Sequence, residues 1–145
     1  MFNKILVALD ASERAPAVFE AAIGVAKMAG ARLYVLRAVT VPPEFPAAAA
    51  GSAADPLVAR MASQAMQELT QIVAGAPDDV AVQPPMVKLG TPWKAVLEAA
   101  DERDVNLIVI GSHGYHGWDH VLGTTAAKIV NTSKRHVLVV HGHEA

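Results

Sequence analysis

One stretch decides the fold of this chain, and it reads Leu107-Ile-Val-Ile-Gly-Ser-His-Gly-Tyr-His-Gly-Trp-Asp-His-Val-Leu-Gly-Thr-Thr-Ala-Ala-Lys128. Its apolar run stops at Gly111, and a glycine-rich segment then leads to Gly123, Thr124 and Thr125, where a helical pattern begins. A buried strand followed by a glycine-rich loop and a helix N-terminus is typical of phosphate binding. Glycines let the backbone approach an anion, and the free N–H groups at the helix start point toward it. We therefore interpret the rest of the chain as the scaffold for this loop.

Apolar segments and helical patterns alternate along the whole sequence. Strands are predicted at residues 5–9, 32–39, 80–89 and 105–110, and a last strand begins at His136 and ends at His141. The helical patterns between them have plausible caps: Ser12 before the first helix and Gly30 after it, Asp55-Pro56 before the second, Thr91-Pro92 before the third. Residues 41–55, rich in Pro, Ala and Gly, are predicted to form a surface loop.

This alternation predicts one α/β domain over residues 1–145, with a doubly wound, five-stranded parallel sheet and helices on both faces. Pro84 and Pro85 interrupt the third strand, and this places it at an edge because proline cannot donate to a sheet. The expected strand order is 3-2-1-4-5. In that order Asp10 and Gly111 follow neighbouring strands, at the switch point where such sheets bind ligands.

The composition excludes several classes of protein. With 52% hydrophobic and 18% charged residues, the chain is not disordered, and no apolar run reaches the roughly 20 residues of a membrane span. The absence of cysteine excludes disulfides and a thiolate nucleophile. A net charge of −2 leaves no basic footprint for nucleic acid. We expect a soluble, cytoplasmic protein without a signal peptide that contacts neither membrane nor nucleic acid.

Two features of the predicted site have simpler alternatives. Asp10 could accept hydrogen bonds from ribose hydroxyls, or it could be a turn residue, since Asp-Ala-Ser is good turn chemistry. The glycines could serve an ordinary strand-to-helix loop, although their number and the Gly123-Thr124-Thr125 ending favour an anion site. Neither a Walker A loop nor a Rossmann glycine fingerprint is present in the sequence.

The histidines and serines of the chain do not predict a catalytic or metal centre. His113, His116 and His120 are loosely spaced in a loop, whereas zinc needs three or four convergent ligands. We expect His113 to face phosphate oxygens or solvent. Ser12 and Ser112 lack the Gly-x-Ser-x-Gly context of an activated serine. No catalytic residue and no protein-bound metal are therefore predicted.

Several separate segments resemble the universal stress protein family, in the right order along the whole chain. They are Lys4-Ile-Leu-Val-Ala-Leu-Asp-Ala-Ser-Glu13, Gly90-Thr-Pro92, Asn106-Leu-Ile-Val-Ile-Gly-Ser-His-Gly114, Leu122-Gly-Thr-Thr125 and Val137-Leu-Val-Val140. ATP-binding members of the family carry Gly, two residues, Gly, nine residues, then Gly-Ser/Thr. Here Gly111-x-x-Gly114 is followed by only eight residues before Gly123-Thr124.

The resemblance implies a nucleotide site. Asp10 would meet the ribose, the backbone of Ala38 and Val39 would meet the adenine edge, and Mg²⁺ or Mn²⁺ would bridge the phosphate oxygens. The residues implied to hold ATP are Ala8, Asp10, Ala38, Val39, Ile110, Gly111, His113, Gly114, Gly123, Thr124 and Thr125.

Three functions follow from the resemblance, in order of preference. The first is a homodimeric stress-response protein that binds ATP as a regulatory ligand with little or no hydrolysis. Its dimer would form through the last strand, from His136 to His141, an apolar edge suited to pairing. The second is an interaction module without nucleotide, which the shorter spacer favours. The third, a nucleotide-cleaving enzyme, ranks last because Leu-Asp-Ala-Ser-Glu is a poor match to the Ser-Gly-Gly type of loop it needs.

Overall fold

The computed structural model describes residues 1–41, 56–112 and 122–141. Most of the predicted surface loop at 41–55 lies outside these ranges. The strands are β1 (Lys4–Ala8), β2 (Arg32–Val39), β3 (Ala81–Val82), β4 (Met86–Leu89), β5 (Leu107–Gly111) and β6 (His136–Val140). The helices are α1 (Ala15–Ala29), α2 (Pro56–Ala74), α3 (Pro92–Arg103) and α4 (Thr124–Thr132).

The strands form one parallel sheet in the order β3-β2-β1-β5-β6, with β4 also paired to β2. The predicted parallel α/β sheet is confirmed, but the predicted number of five strands is wrong, since the described residues form six. Pro84 and Pro85 are the reason, because they divide the third segment into β3 and β4. Both pieces lie along the same edge of β2, so the predicted edge position is confirmed.

The helices cover both faces of the sheet, because successive side chains of a strand point to opposite faces. Ile5 and Val7 of β1 lie in a core cluster with buried residues of α1 and α2, including Phe19 and Leu69. Leu6 lies in the other cluster, with buried residues of α3 and α4. The near-continuous apolar runs of β1 and β5 are thus explained by burial from both sides.

The first helix begins later than the sequence predicts. Ser12 is not the N-cap: α1 begins at Ala15, its N-cap is Arg14, and Pro16 lies in the first turn. A proline there removes an N–H that would have no partner within the helix, so the late start is the one that accommodates it. The predicted end at Gly30 is confirmed, with φ of 62° in the left-handed region.

The amino ends of the strands are closed by polar contacts. Arg135, just before β6, donates through Nε to the Val105 carbonyl at 2.6 Å and through Nη1 to Asp101 at 2.6 Å. Its Nη2 lies 3.4 Å from Asp104. These bonds tie β6 to the end of α3 and the start of β5. The carboxyl ends of the strands, at the opposite edge, carry the cavity described below.

Gly30, which caps the end of α1, and Gly24, inside the helix, give a paired test of the helix end. An added Cβ would meet no atom within 4 Å at Gly24 or Gly30, so only backbone preference differs between them. We expect Gly30→Ala to lower the free energy of unfolding by about 1 kcal/mol, because alanine disfavours the left-handed region. Gly24→Ala, inside the helix, should raise it by about 0.5–1 kcal/mol. Urea unfolding followed by circular dichroism measures both, and changes of the same sign would contradict this account of the helix end.

Candidate ligand-binding site

A cavity of about 670 Å³ opens at the carboxyl ends of the central strands. It lies where β1 ends between β2 and β5, the switch point of the sheet, and its volume is in the range of small-molecule sites. The predicted site residues that line it are Ala8, Asp10, Ala38, Ile110, Gly111, Gly123, Thr124 and Thr125. Val39 is not among the lining residues, and His113 and Gly114 lie outside the described ranges.

Asp10 shapes the turn between β1 and α1. Its Oδ1 accepts hydrogen bonds from the N–H of Ser12 at 2.9 Å and from the Ser12 hydroxyl at 2.5 Å. The Ser12 Oγ in turn accepts from the N–H of Arg14 at 3.2 Å. These are the hydrogen bonds expected of Asp10 as a turn residue, the simpler of its two alternatives. The carboxylate is nevertheless exposed at the cavity, and its Oδ2 has no hydrogen-bond partner among the described residues. One side chain therefore builds the turn and still presents an acceptor to a ligand.

The end of β2 presents backbone groups to the cavity. The last bond across to the β1 side joins the N–H of Leu9 to the carbonyl of Leu36 at 2.8 Å. The carbonyl of Val39 accepts from Gly90 on the opposite side, at 2.9 Å. Because successive residues direct their backbone groups to opposite neighbours, the N–H and C=O of Ala38 point to the side where β1 has ended. Ala38 thus suits recognition of a planar polar edge, whereas Val39 is engaged at the outer edge.

The glycine-rich loop is held at both ends by backbone bonds. Ser112 donates its N–H to the carbonyl of Val140 at 2.9 Å, and Gly123 donates its N–H to the carbonyl of Ser112 at 3.1 Å. Gly123 is among the residues that the resemblance implies to hold ATP, but its N–H is already used within the protein to close the loop. Gly123 is instead the N-cap residue of α4, in an extended conformation with φ of −60° and ψ of 161°.

The first turn of α4 supplies the unpaired donors. The N–H groups at a helix start have no acceptor within the helix, and no side chain caps this one. Thr124 and Thr125 are exposed and line the cavity, so the first turn of α4 borders a space of the right size for a ligand. Together with the helix dipole, this arrangement favours an anion.

Sequence reasoning missed several lining residues. Arg14 is the only lysine or arginine among the described lining residues, and it lies between the Asp10 turn and α1. The sequence could have indicated Arg14, because Pro16 in the first turn favours a helix that begins at Ala15, and Arg14 is the residue just before it. Val18, Val96 and Ile129 add an apolar wall between the ends of the cavity. The cavity lining therefore combines apolar side chains with backbone groups, one carboxylate, one arginine and the uncapped start of α4.

The described residues contain no group of three or more His, Cys, Asp or Glu that could hold a metal ion. The three loop histidines considered for such a site lie outside the described ranges. Over the same part of the chain, no helix combines the length and apolar character needed to cross a membrane.

Comparisons with known proteins agree along the chain. A model described as "Universal stress protein family" matches residues 1–141. The chain is 32% identical over 144 residues to universal stress protein A homolog 2 of Coxiella burnetii, covering 96% of this chain and 94% of that protein. It is also similar to the structure of universal stress protein UspA from Lactobacillus plantarum, with a TM-score of 0.74 and 25% identity over 97% of this chain and 98% of that one.

A second solved structure, a universal stress protein in complex with cAMP, is similar with a TM-score of 0.63 and 23% identity, covering 97% of each chain. At that identity it shows the shared fold alone. The family match over nearly the whole sequence, the curated relative and the parallel α/β fold lead to one conclusion: this chain belongs to the universal stress protein family.

Proposed function

We propose that this protein binds ATP, or a closely related adenine nucleotide, as a regulatory ligand with little or no hydrolysis. The observation that carries the proposal is the cavity of about 670 Å³ that joins Ala38, Asp10 and the uncapped start of α4. A nucleotide has a base with a hydrogen-bonding edge, a sugar with hydroxyls and a chain of anionic phosphates. The cavity offers one matching group for each of these parts.

The base end of the proposal rests on β2. The N–H and C=O of Ala38 form a donor and acceptor pair, which is what the polar edge of an adenine can read. Val18 and Val96 contribute apolar surface to the same cavity, and burial of a planar ring against such surface stabilises the complex. The free Oδ2 of Asp10 would accept from a ribose hydroxyl.

The phosphate end rests on α4. Its free amides at Thr124 and Thr125 and the guanidinium of Arg14 would meet the phosphate oxygens. A Mg²⁺ or Mn²⁺ ion would be held by the phosphates themselves and neutralise part of their charge. We propose little or no hydrolysis because Asp10 is the one carboxylate among the described lining residues, and the proposal assigns it to the ribose and not to a water at the phosphates.

The family setting supports the wider proposal of a cytoplasmic protein that acts in the response to stress. The structural neighbour in complex with cAMP holds an adenine nucleotide, which is the same ligand class. The second candidate is an interaction module that binds no nucleotide. One observation favours it: only eight residues separate Gly114 from Gly123, one fewer than in the pattern of ATP-binding members.

Thr124 gives a sharp test of the phosphate end. Thr124→Pro removes the first amide and the hydroxyl, yet proline is favoured at the first helical position and Gly123 already has the extended conformation that proline requires before it. Thr124→Ala, the matched control, removes the hydroxyl and keeps the amide. We expect Mg-ATP affinity, measured by isothermal titration calorimetry, to fall about tenfold to a hundredfold in the proline variant and only a few-fold in the alanine variant.

Equal affinities in the two variants would contradict the placement of the phosphates at α4, with circular dichroism verifying that both remain folded.

An experiment on the wild-type protein decides between the two proposed functions. After purification its ultraviolet absorbance ratio, and chromatography of any ligand released by heat, should reveal an adenine nucleotide. Absence of nucleotide, together with no thermal shift from millimolar Mg-ATP, would reject nucleotide binding and leave the interaction module.

We further propose that the protein is a homodimer that pairs through β6. This strand is the last in the sheet order, so one of its backbone edges lacks a partner among the described residues. Four of its five side chains are apolar: Leu138 is 36% exposed, and Val137, Val139 and Val140 are half-buried. An apolar edge strand left unpaired in water is a template for pairing with a second copy.

Leu138 tests the dimer. It is the middle residue of β6, so in a two-fold pairing of identical strands it lies near its own counterpart. Leu138→Lys would then bring two cations together, and the dimer dissociation constant should rise at least about tenfold. Met28→Lys is the control, because Met28 is 84% exposed on α1 and its change adds the same charge elsewhere. Sedimentation equilibrium measures all three proteins. A wild-type monomer, or a dimer unaffected by Leu138→Lys, would contradict pairing through β6.

A further inference from the structure

Arg37 stands apart from the rest of the core. It is the one buried polar or charged residue in the described part of the chain, with 6% of its surface exposed. It lies on β2, immediately before Ala38, in a strand whose other residues are mostly apolar. Burying a guanidinium is costly unless it is paired and hydrogen-bonded, so its contacts must explain its place.

The guanidinium of Arg37 joins two parts of the fold. Its Nη1 donates to Glu68 Oε2 on α2 at 2.6 Å, and its Nη2 donates to the carbonyl oxygen of Asp10 at 3.2 Å. Glu68 is held in turn by Gln64, whose Nε2 donates to Oε1 at 3.2 Å. The hydrogen bond from Arg37 lowers the pKa of Glu68 and so favours its charged form. A single planar side chain thereby connects α2 to the turn after β1.

A contribution to the stability of the fold does not by itself explain the contacts of Arg37. The Nε of Arg37 is buried without a hydrogen-bond partner in the described structure, which is a cost. The side chain of Glu68 is 46% exposed, so solvent weakens the ion pair. An apolar side chain of similar size could replace such an arginine with little loss of stability, because the released Glu68 would return to water. What an apolar side chain could not supply is the bond to Asp10.

That bond matters because the other side-chain hydrogen bonds of the turn are formed within the turn itself. Ser12 bonds to the Asp10 carboxylate, and the N–H of Arg14 bonds to the Ser12 hydroxyl. Among the hydrogen bonds of the described residues, the one from Arg37 is the only side-chain bond that joins this turn to another element. The turn is also the wall between two cavities: Ala11, Ser12 and Ala15 line both the cavity at β1 and a second one of about 690 Å³ between α1 and α2.

We infer that Arg37 is a positioning residue for the ligand cavity. Oriented by Glu68, its guanidinium holds the backbone at Asp10 in place and so couples the position of α2 to the geometry of the site. The part of this inference that concerns affinity rests on the proposed nucleotide function. The part that concerns the turn does not, and it can be tested without any ligand.

The ligand-free test is amide hydrogen exchange measured by nuclear magnetic resonance. The N–H groups of Ser12 and Arg14 are bonded within the turn, so their exchange reports its opening. We expect Arg37→Met to speed exchange at both amides by about tenfold, while the amide of Val7 in the buried strand β1 stays unchanged. Glu68→Gln should speed it by a smaller factor, because Arg37 remains but is less firmly oriented.

The matched control for Glu68→Gln is Asp79→Asn. Asp79 forms an ion pair with Lys27 at 2.9 Å, and the hydrogen bond from Lys27 lowers its pKa in the same way, but neither residue contacts the turn. Asp79→Asn should leave exchange at Ser12 unchanged. Arg37→Lys should fail to restore protection, since one ammonium group cannot reproduce the fork that reaches both Glu68 and the Asp10 carbonyl.

The affinity arm uses Mg-ATP as the probe. We expect binding to weaken about tenfold in Arg37→Met and to be unchanged in Asp79→Asn, with thermal stability nearly unchanged in both. Unchanged exchange at Ser12 in Arg37→Met, or full rescue by lysine, would overturn the inference. If Arg37→Met does not fold, Glu68→Gln decides by the same exchange measurement. A wild-type protein that binds no Mg-ATP would count against the proposed function, and the exchange experiment would still decide the role of Arg37.

Discussion

The structure depends on where its central strand stops. β1 ends at Ala8, which is in register with Leu36 on one side and Ile110 on the other, while β2 continues to Val39 and β5 to Gly111. The neighbouring strands therefore extend past the strand they were paired with, and their last backbone groups face a gap instead of a partner. Because unpaired backbone groups are strongly polar, that gap is suited to a ligand with hydrogen-bonding edges. The turn at Asp10 and the first turn of α4 then close it from two sides.

The sequence predicts well those features of the fold that depend on the burial of apolar side chains and on glycine and proline. The limits of β2, the end of α1 at Gly30, the helices on both faces and the edge position of the proline-broken segment all follow from apolar periodicity and from the backbone preferences of glycine and proline. It predicts less well where several local preferences compete. Ser12 and Pro16 favour different starts for α1, and only the structure shows that Ser12 belongs to the turn while the helix begins at Ala15. Pro84 and Pro85 divide the third segment into β3 and β4, but the register in which both pieces pair with β2 is a long-range feature that only the structure shows.

In the site, too, features that depend on local sequence can be predicted, whereas features that depend on long-range contacts cannot. Asp10, Ala38, Gly111 and Thr124 all line one cavity, since each lies near the end of a strand or at the start of a helix. Which backbone groups remain free is set by long-range pairing, as at Gly123, whose N–H is taken by Ser112. Arg37 was missed because its partner Glu68 lies 31 positions away. The available signal was a charged residue inside a strand expected to be covered on both faces, a placement that requires a partner.

The hydrogen bonds at the two ends of the glycine-rich loop affect how strongly its shorter spacer argues against nucleotide binding. Ser112 is tied to Val140 of β6 and Gly123 is tied to Ser112, so the start of α4 is placed by bonds to the sheet and not by the length of the segment between them. The shorter spacer lies between these two bonded ends, and Thr124 and Thr125 follow directly after the second of them. The spacer of eight residues therefore counts less against the start of α4 as the proposed phosphate site than the family pattern alone would suggest. This separation is why nucleotide binding is favoured over the interaction module despite the departure from the family pattern.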